Sequence, residues 1–350
     1  MKRFDFVQPA SLSEALGAWK PGAVWLGGGT SLVDLMKTGA AKPDRVIDIT
    51  RLPGLRGIEV LADGATRIGA LVSNADLARD DGFAKRFPMV AEALLSGASG
   101  QLRNAATVAG NLMQHTRCAY FQDPNAACNR RQAGSGCDAK DGLNEGHAVL
   151  GWSEGCIATH PSDFCVPLVA LGAVVETEGP NGTSEMPLAD FLRLPGDTPE
   201  RTTALGPDEL VTGLRLPAGA EAFAAHARYL KVRDRTSFAF ALTSAAAALR
   251  MEGGAIAEAR LALGAVAARP WRVAEAEAML AGQTPDAALF DRAASAAMAG
   301  AAPSGDNGWK IDLAIRTAAR ALALAAEGTP DRVPALPASP FGPTKEAQHA

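Results

Sequence analysis

The chain has 350 residues, 47% of them hydrophobic, and a formal net charge of −4, which gives room for two or three domains of ordinary globular composition. With no basic excess and with scattered arginines it lacks the electrostatic footprint of a nucleic-acid binder. No apolar stretch reaches the roughly 18 residues that span a bilayer, and Met1-Lys2-Arg3-Phe4-Asp5-Phe6 is followed by no apolar run, so neither a membrane span nor a signal peptide is expected.

Ser11 with Glu14 three residues on is a capping-box pattern and predicts a helix to about Trp19. A short apolar strand, 23–26, then runs into Gly27-Gly28-Gly29-Thr30-Ser31 and a helix over 32–37, and 45–49 reads as a further strand. These segments make a small α/β unit of about 50 residues. Strands over 58–61 and 66–68 flank the turn Asp63-Gly64. Ser73 and Asp76 can cap a helix, and 88–96 is a second, apolar one. After the long stretch 114–156 come a strand at 157–159, a turn at His160-Pro161-Ser162 and a buried helix from Asp163 to about Leu171. A hairpin is expected over 173–187, with a last strand over 210–216 before a linker at Pro217-Ala218-Gly219. Beyond it, 225–232, 238–249 and 255–263 read as an antiparallel three-stranded meander, followed by alanine-rich helices over 273–281, 286–299 and 310–326. The proline-rich tail from Pro330 is expected to be extended.

Four of the five cysteines, Cys118, Cys128, Cys137 and Cys156, fall in a stretch with no helical or strand period, and so long a loop is uncommon unless it is functional or disordered. An odd cysteine count without a signal favours thiols or metal ligands over disulfides. The spacing C-x9-C-x8-C-x18-C contains neither paired zinc knuckles nor the ferredoxin run. A four-thiolate zinc site and a [4Fe–4S] cluster are therefore both open on spacing alone. Arg117, Arg130 and Arg131 stand beside the thiols and would offset their charge; His115 and His147 border the loop as alternative ligands, and Tyr120 and Phe121 would pack it or shield a cluster. Cys165, in an apolar segment, is expected to be a buried structural thiol.

Two stretches have the composition of a backbone that approaches an anion. Gly27-Gly28-Gly29-Thr30-Ser31 lies between a strand and a helix, where successive N–H groups and hydroxyls can face phosphate, although it is neither a P-loop nor the Rossmann glycine pattern. Arg103-Asn104-Ala105-Ala106-Thr107-Val108-Ala109-Gly110-Asn111-Leu112 mixes small residues with Thr and Asn. A tight turn and a polar connection account for these stretches equally well.

Together with Ile68-Gly69-Ala70 and Pro161-Ser162-Asp163, and in this order, these stretches resemble the FAD-binding subunit of the molybdenum hydroxylases, the xanthine dehydrogenase and carbon monoxide dehydrogenase family. The resemblance covers about residues 1–328. It implies an α+β chain: a two-subdomain FAD-binding domain of the PCMH type over 1–56 and 57–217, a C-terminal three-stranded antiparallel sheet with a helical bundle over 221–328, and a tail over 329–350. Carried over by position, Leu26, Gly27, Gly28, Gly29, Thr30, Ser31, Leu32 and Val33 would cradle the FAD pyrophosphate. Thr107, Gly110 and Asn111 would supply a second phosphate and ribose contact. Asp163 would bond near the ribityl or adenosine part, and Lys231 would lie by the isoalloxazine. The family more often has Gly-Gly-Asn where this chain has Ala109-Gly110-Asn111, and the alanine methyl narrows that approach. His160, before a proline, would be a turn residue near the flavin.

The four cysteines resemble most the FAD subunit of the periplasmic aldehyde oxidoreductase branch, which carries an extra [4Fe–4S] cluster in an inserted loop. This likeness implies a molybdenum-cofactor large subunit and a [2Fe–2S] small subunit as partners in a heterotrimer or a multiple of one. Electrons would pass to FAD here and on to an external acceptor. It also implies periplasmic location by co-export on a partner's signal, the alternative being cytoplasmic. No catalytic acid, base or nucleophile is identified in this chain. Competing readings are a zinc-stapled assembly subunit without FAD, a self-sufficient flavin oxidase, and the FAD subunit of a xanthine dehydrogenase or 4-hydroxybenzoyl-CoA reductase type of complex.

Overall fold

A computed structural model of the chain describes residues 1–331. The first helix, Leu12–Ala18, starts where the capping pattern puts it: Ser11 Oγ accepts from the Glu14 N–H at 3.2 Å, while Glu14 reaches back to the Ala10 N–H at 2.9 Å. Gly17 is an exposed residue of this helix, and a Cβ there would meet nothing within 4 Å. Gly17→Ala should therefore stabilise the protein by about 0.5–1 kcal/mol, read as a higher urea midpoint at unchanged slope.

That helix packs beside a parallel sheet in the order β1-β3-β2, formed by β1 (Asp5–Val7), β2 (Ala23–Leu26) and β3 (Arg45–Asp48). Next comes a five-stranded antiparallel sheet of β4 (Ile58–Val60), β5 (Thr66–Gly69), β6 (Val174–Gly179), β7 (Gly182–Pro187) and β8 (Leu210–Leu216), in the order β4-β5-β8-β6-β7. The strand expected to end this region, β8, sits at its centre, with Leu214 paired to Ile68 on one side and Val175 on the other. Six of its seven residues are buried, so both faces are covered, as a central strand requires.

The last sheet runs β12-β11-β10-β9, from β9 (Ala227–Val232), β10 (Thr243–Glu252), β11 (Ala255–Gly264) and β12 (Trp271–Arg272). The expected meander is present, and the two-residue β12 adds a fourth strand at its edge. Strand β10 is buried on both faces over Thr243–Leu249. Ala246 and Ala248 join the core beside the five-stranded sheet, whereas Ala245, Ala247 and Leu249 face the helices Ala287–Ala297 and Trp309–Glu327. Methyl side chains let this strand lie close between two cores, which is why its sequence shows four consecutive alanines, 245–248, instead of alternation.

Two elements differ from expectation. Residues 157–159 form no strand: Ile157 O accepts from the Ala148 N–H, and His160 N–H donates to Ala267 O, so the segment is held between a loop and a sheet edge. The helix expected from Asp163 is shorter, Cys165–Ala170, because the Ser162 hydroxyl takes the Cys165 N–H and Asp163 is used elsewhere. Of the tail expected over 329–350, Thr329 is bonded to Ala225 and Ala227, and the remainder from 332 lies outside the described residues. Among the described residues, no helix is long and apolar enough to cross a membrane.

Candidate functional site: two loops, a buried ion pair and a four-thiol cavity

The glycine loop after β2 and the turn at Thr107 touch. A Cβ on Gly28 would stand 1.8 Å from the Ala105 carbonyl oxygen, and one on Gly27 would stand 2.9 Å from Thr107 Oγ1. Only glycine lets these backbones meet. Gly29 has φ +75°, a conformation L side chains resist, and it turns the chain into the helix Leu32–Thr38 with Val33 N–H on its carbonyl. Leu26 closes β2 and Leu32 and Val33 open that helix, so the whole of 26–33 is one strand–loop–helix corner. Ser31 Oγ is buried there without a hydrogen-bond partner. On the facing segment, Thr107 caps the helix Val108–Leu112 by accepting the Gly110 N–H at 3.1 Å. Asn111 Oδ1 accepts from Gln114 Nε2 at 2.6 Å and Ser162 Oγ at 2.7 Å.

Asp163 and Lys231 form a buried ion pair. Lys231 Nζ lies 2.8 Å from Asp163 Oδ2, with the side chains 3% and 9% exposed, and Nζ also donates to Ser96 O. Tyr229, two residues along β9 and therefore on the same face, donates its hydroxyl to Asp163 Oδ1 at 2.6 Å. Burial, then the Asp163 charge, drives the Tyr229 phenol well above its usual range, so it stays a donor. The Tyr229 N–H in turn meets Glu92, which pairs with Arg228. Burial raises the Glu92 carboxyl and Arg228 opposes the rise. Asp163 and Lys231 are thus brought together, and both Asp163 oxygens are engaged within the protein. Tyr229, Glu92 and Ser96 were not foreseen; the apolar helix carrying Glu92 and Ser96 shows no functional pattern, and the Tyr-x-Lys spacing was the only signal.

The four thiols share one cavity, closed by Phe121 and Ile157. Cys118 is the N-cap of the short helix Ala119–Gln122, Cys128 and Cys137 face each other across an isolated antiparallel bridge, and Cys156 sits in a bridge with Ser153. All are free thiols. Burial pushes the Cys118 thiol up to about 11 against the pull of the Phe121 and Tyr120 N–H groups, and the Cys128 and Cys156 sulfurs add to the rise. Cys137 is also raised by burial and by Cys156, and the N–H groups of Ile157, Ala139 and Lys140 oppose it. Two of the sulfurs are thus already supplied with amide donors. Among the described residues, no three His, Cys, Asp or Glu side chains converge closely enough to hold a single metal ion.

The neighbouring residues divide by role. Arg131 donates to the carbonyls of Tyr120, Phe121 and Ala126 and so folds the loop. Arg117 stacks over Phe240 at 5.1 Å, and Arg130 reaches the cavity wall; the Nε of each is buried without a partner. Phe121 and Cys128 pack on Leu35 of the glycine-loop helix, and the Tyr120 hydroxyl accepts the Leu143 N–H. His115 stacks on Phe121 and lines a second, adjoining cavity together with His160. Burial, then Arg130, lowers both imidazoles to about 4, with Arg117 a further cause at His115. His147 places Nε2 3.3 Å from Cys118 Sγ. Cys165 is the expected structural thiol, fully buried in the core beside the five-stranded sheet and pushed up to about 12 by that burial.

Residues 2–219 match the family model for the FAD-binding domain in molybdopterin dehydrogenase, and 228–325 match that for the CO dehydrogenase flavoprotein C-terminal domain. The chain belongs to the FAD-binding subunits of the molybdenum hydroxylases. It is 47% identical over 328 residues to the aldehyde oxidoreductase FAD-binding subunit PaoB of Escherichia coli K12, covering 92% of this chain and 98% of that one. It is 28% identical to the carbon monoxide dehydrogenase medium chain of Hydrogenophaga pseudoflava, over 91% and 96% of the two chains. A solved structure of that organism's carbon monoxide dehydrogenase, lacking the Mo-pyranopterin moiety, superposes with a TM-score of 0.71 at 29% identity, over 92% of this chain and 97% of that one. This FAD-binding subunit is accordingly part of an oxidoreductase, and the α+β reading of its fold holds. The unpartnered Ser31 hydroxyl in a loop of three glycines fits a phosphate-bearing cofactor, because a buried hydroxyl without a partner costs free energy until a ligand takes it up.

Proposed function

We propose that this subunit carries electrons within a molybdenum-containing aldehyde oxidoreductase, and that the loop over 114–156 holds an additional [4Fe–4S] cluster. FAD, when bound, supplies electron exchange between [2Fe–2S] clusters of a small partner subunit and an external acceptor. The residues of this chain bind and orient. Gly27, Gly28, Gly29, Thr30 and Ser31, flanked by Leu26, Leu32 and Val33, would receive the pyrophosphate; Thr107, Gly110 and Asn111 would receive the second phosphate and the ribose. Asp163 anchors Lys231, which fixes one positive charge at the flavin end of the site. No acid, base or nucleophile is required of the chain. A large subunit carrying the molybdenum cofactor would complete the complex, and co-export on a partner's signal would place it in the periplasm.

The observation that carries the cluster is the shared cavity of Cys118, Cys128, Cys137 and Cys156, with amide N–H groups supplied to Cys118 and Cys137. A mononuclear zinc site with bonds of about 2.3 Å draws its four sulfurs to within about 4 Å of one another. Zinc on the same four thiols is the alternative occupant, and metal analysis separates the two. Purified as the full chain, the protein should show flavin absorption with a broad iron–sulfur shoulder, and iron without zinc. Cys128→Ser should abolish the shoulder and lower the iron while the flavin stays. A colourless zinc protein sinks the proposal.

A further inference from the structure

The stretch between Cys137 and Cys156 is held largely by the other end of the chain. Lys310, 0% exposed, donates Nζ to the carbonyls of Gly146 at 2.7 Å and His147 at 3.0 Å. Asn307, also 0% exposed, donates Nδ2 to the carbonyls of His147 and Ala148, and Ser304 Oγ donates to Ala148 O. Asp306 N–H meets Asn144 Oδ1 at 2.7 Å, and Asn144 O accepts the His147 N–H. The backbone at His147 is therefore fixed on both sides.

The imidazole that this clamp presents points its Nε2 at Cys118 Sγ, 3.3 Å away, and its Nδ1 is buried with no partner. A thiolate sulfur has no proton to give, so at this distance the imidazole bonds to it only as a donor, with the proton on Nε2.

We propose that His147 is a positioning residue of the cysteine site: its Nε2–H donates to the Cys118 thiolate, and Lys310 and Asn307 of the C-terminal region hold it there, so that the cluster's reduction potential lies above the value its four thiolates would set alone. The inference rests on the cluster reading above. Hydrogen bonds to ligand sulfurs draw electron density from them and favour the reduced cluster, and partners beyond the ligands orient and tune a metal group. A residue on the last helix thereby acts on the cysteine loop without touching a thiol.

The test is an EPR-monitored redox titration of the full chain, purified anaerobically, with iron content and flavin spectrum measured on the same samples. His147→Leu should shift the cluster to lower potential with iron and flavin content unchanged. His147→Gln, whose Nε2 can replace the donor, should bring the potential back toward wild type. Lys310→Met should shift it in the same direction as His147→Leu, and serves if the leucine variant does not fold. An unaltered potential in His147→Leu with a full cluster overturns the inference alone. Loss of iron on that substitution also overturns it, because His147 would then be a ligand. A wild-type chain without iron overturns the cluster reading itself.

Discussion

Asp163→Ala should destabilise the protein by about 3–5 kcal/mol and leave it with little flavin, because it strands a buried ammonium and a buried phenol together. The carboxylate accepts from Lys231 Nζ at 2.8 Å and from the Tyr229 hydroxyl at 2.6 Å, and Lys231 is 3% exposed. After the substitution Lys231 keeps only the Ser96 carbonyl, and no anion answers its charge. Desolvation of the intact pair opposes its attraction, so breaking it on one side is what costs. Asp163→Leu combined with Lys231→Met should therefore recover much of the loss in a urea titration while flavin remains absent. A single substitution that unfolds at the wild-type midpoint would show that the carboxylate holds nothing.

Gly28→Ala should lower FAD affinity at least tenfold, about 1.4 kcal/mol or more, and destabilise the fold at the upper end of the roughly 1–3 kcal/mol that overpacking costs. The added methyl would stand 1.8 Å from the Ala105 oxygen and 2.7 Å from the Ala105 carbonyl carbon. These are backbone atoms, so no rotamer change relieves the overlap and the two loops must separate. Flavin absorbance per chain after gel filtration measures the first effect, and a urea midpoint the second. Gly17→Ala is the matched control, since the same methyl there meets open space. Full flavin retention in Gly28→Ala would mean that the contact of the two loops is dispensable for binding.

The legible parts of this chain were those whose local pattern carries a physical requirement. The Ser11–Glu14 cap, the triple glycine, the hairpin turn before β7 and the buried run at Cys165 all announce themselves within a few residues, and the structure holds each of them. The four cysteines were legible as a group, though their common cavity is assembled across 39 residues by Arg131, which folds the loop through carbonyls that no spacing rule can foresee. Illegible were the long-range pairings. Strand β8 enters the middle of its sheet, and Glu92 reaches across 137 residues to the Tyr229 N–H. Lys310 opens an amphipathic helix, where a lysine reads as solvated; burial lowers it to about 7, and two loop carbonyls compensate part of that cost. Such partners have no sequence neighbourhood in common.

The anchoring of the cysteine loop by Ser304, Asn307 and Lys310 also bears on the order in which the molecule forms. Val149 and Leu150 lie in the same core as the last helix, and the bonds that hold Gly146, His147 and Ala148 span 156 to 164 residues of chain. Contacts so distant in sequence form late, because loop-closure entropy must be met before they repay it. During synthesis the four thiols emerge well before Lys310, so the nascent chain carries them unclamped until the last helix is released. The anchoring of residues 146–148 is thus a product of completed folding, made only once the C-terminal region has docked.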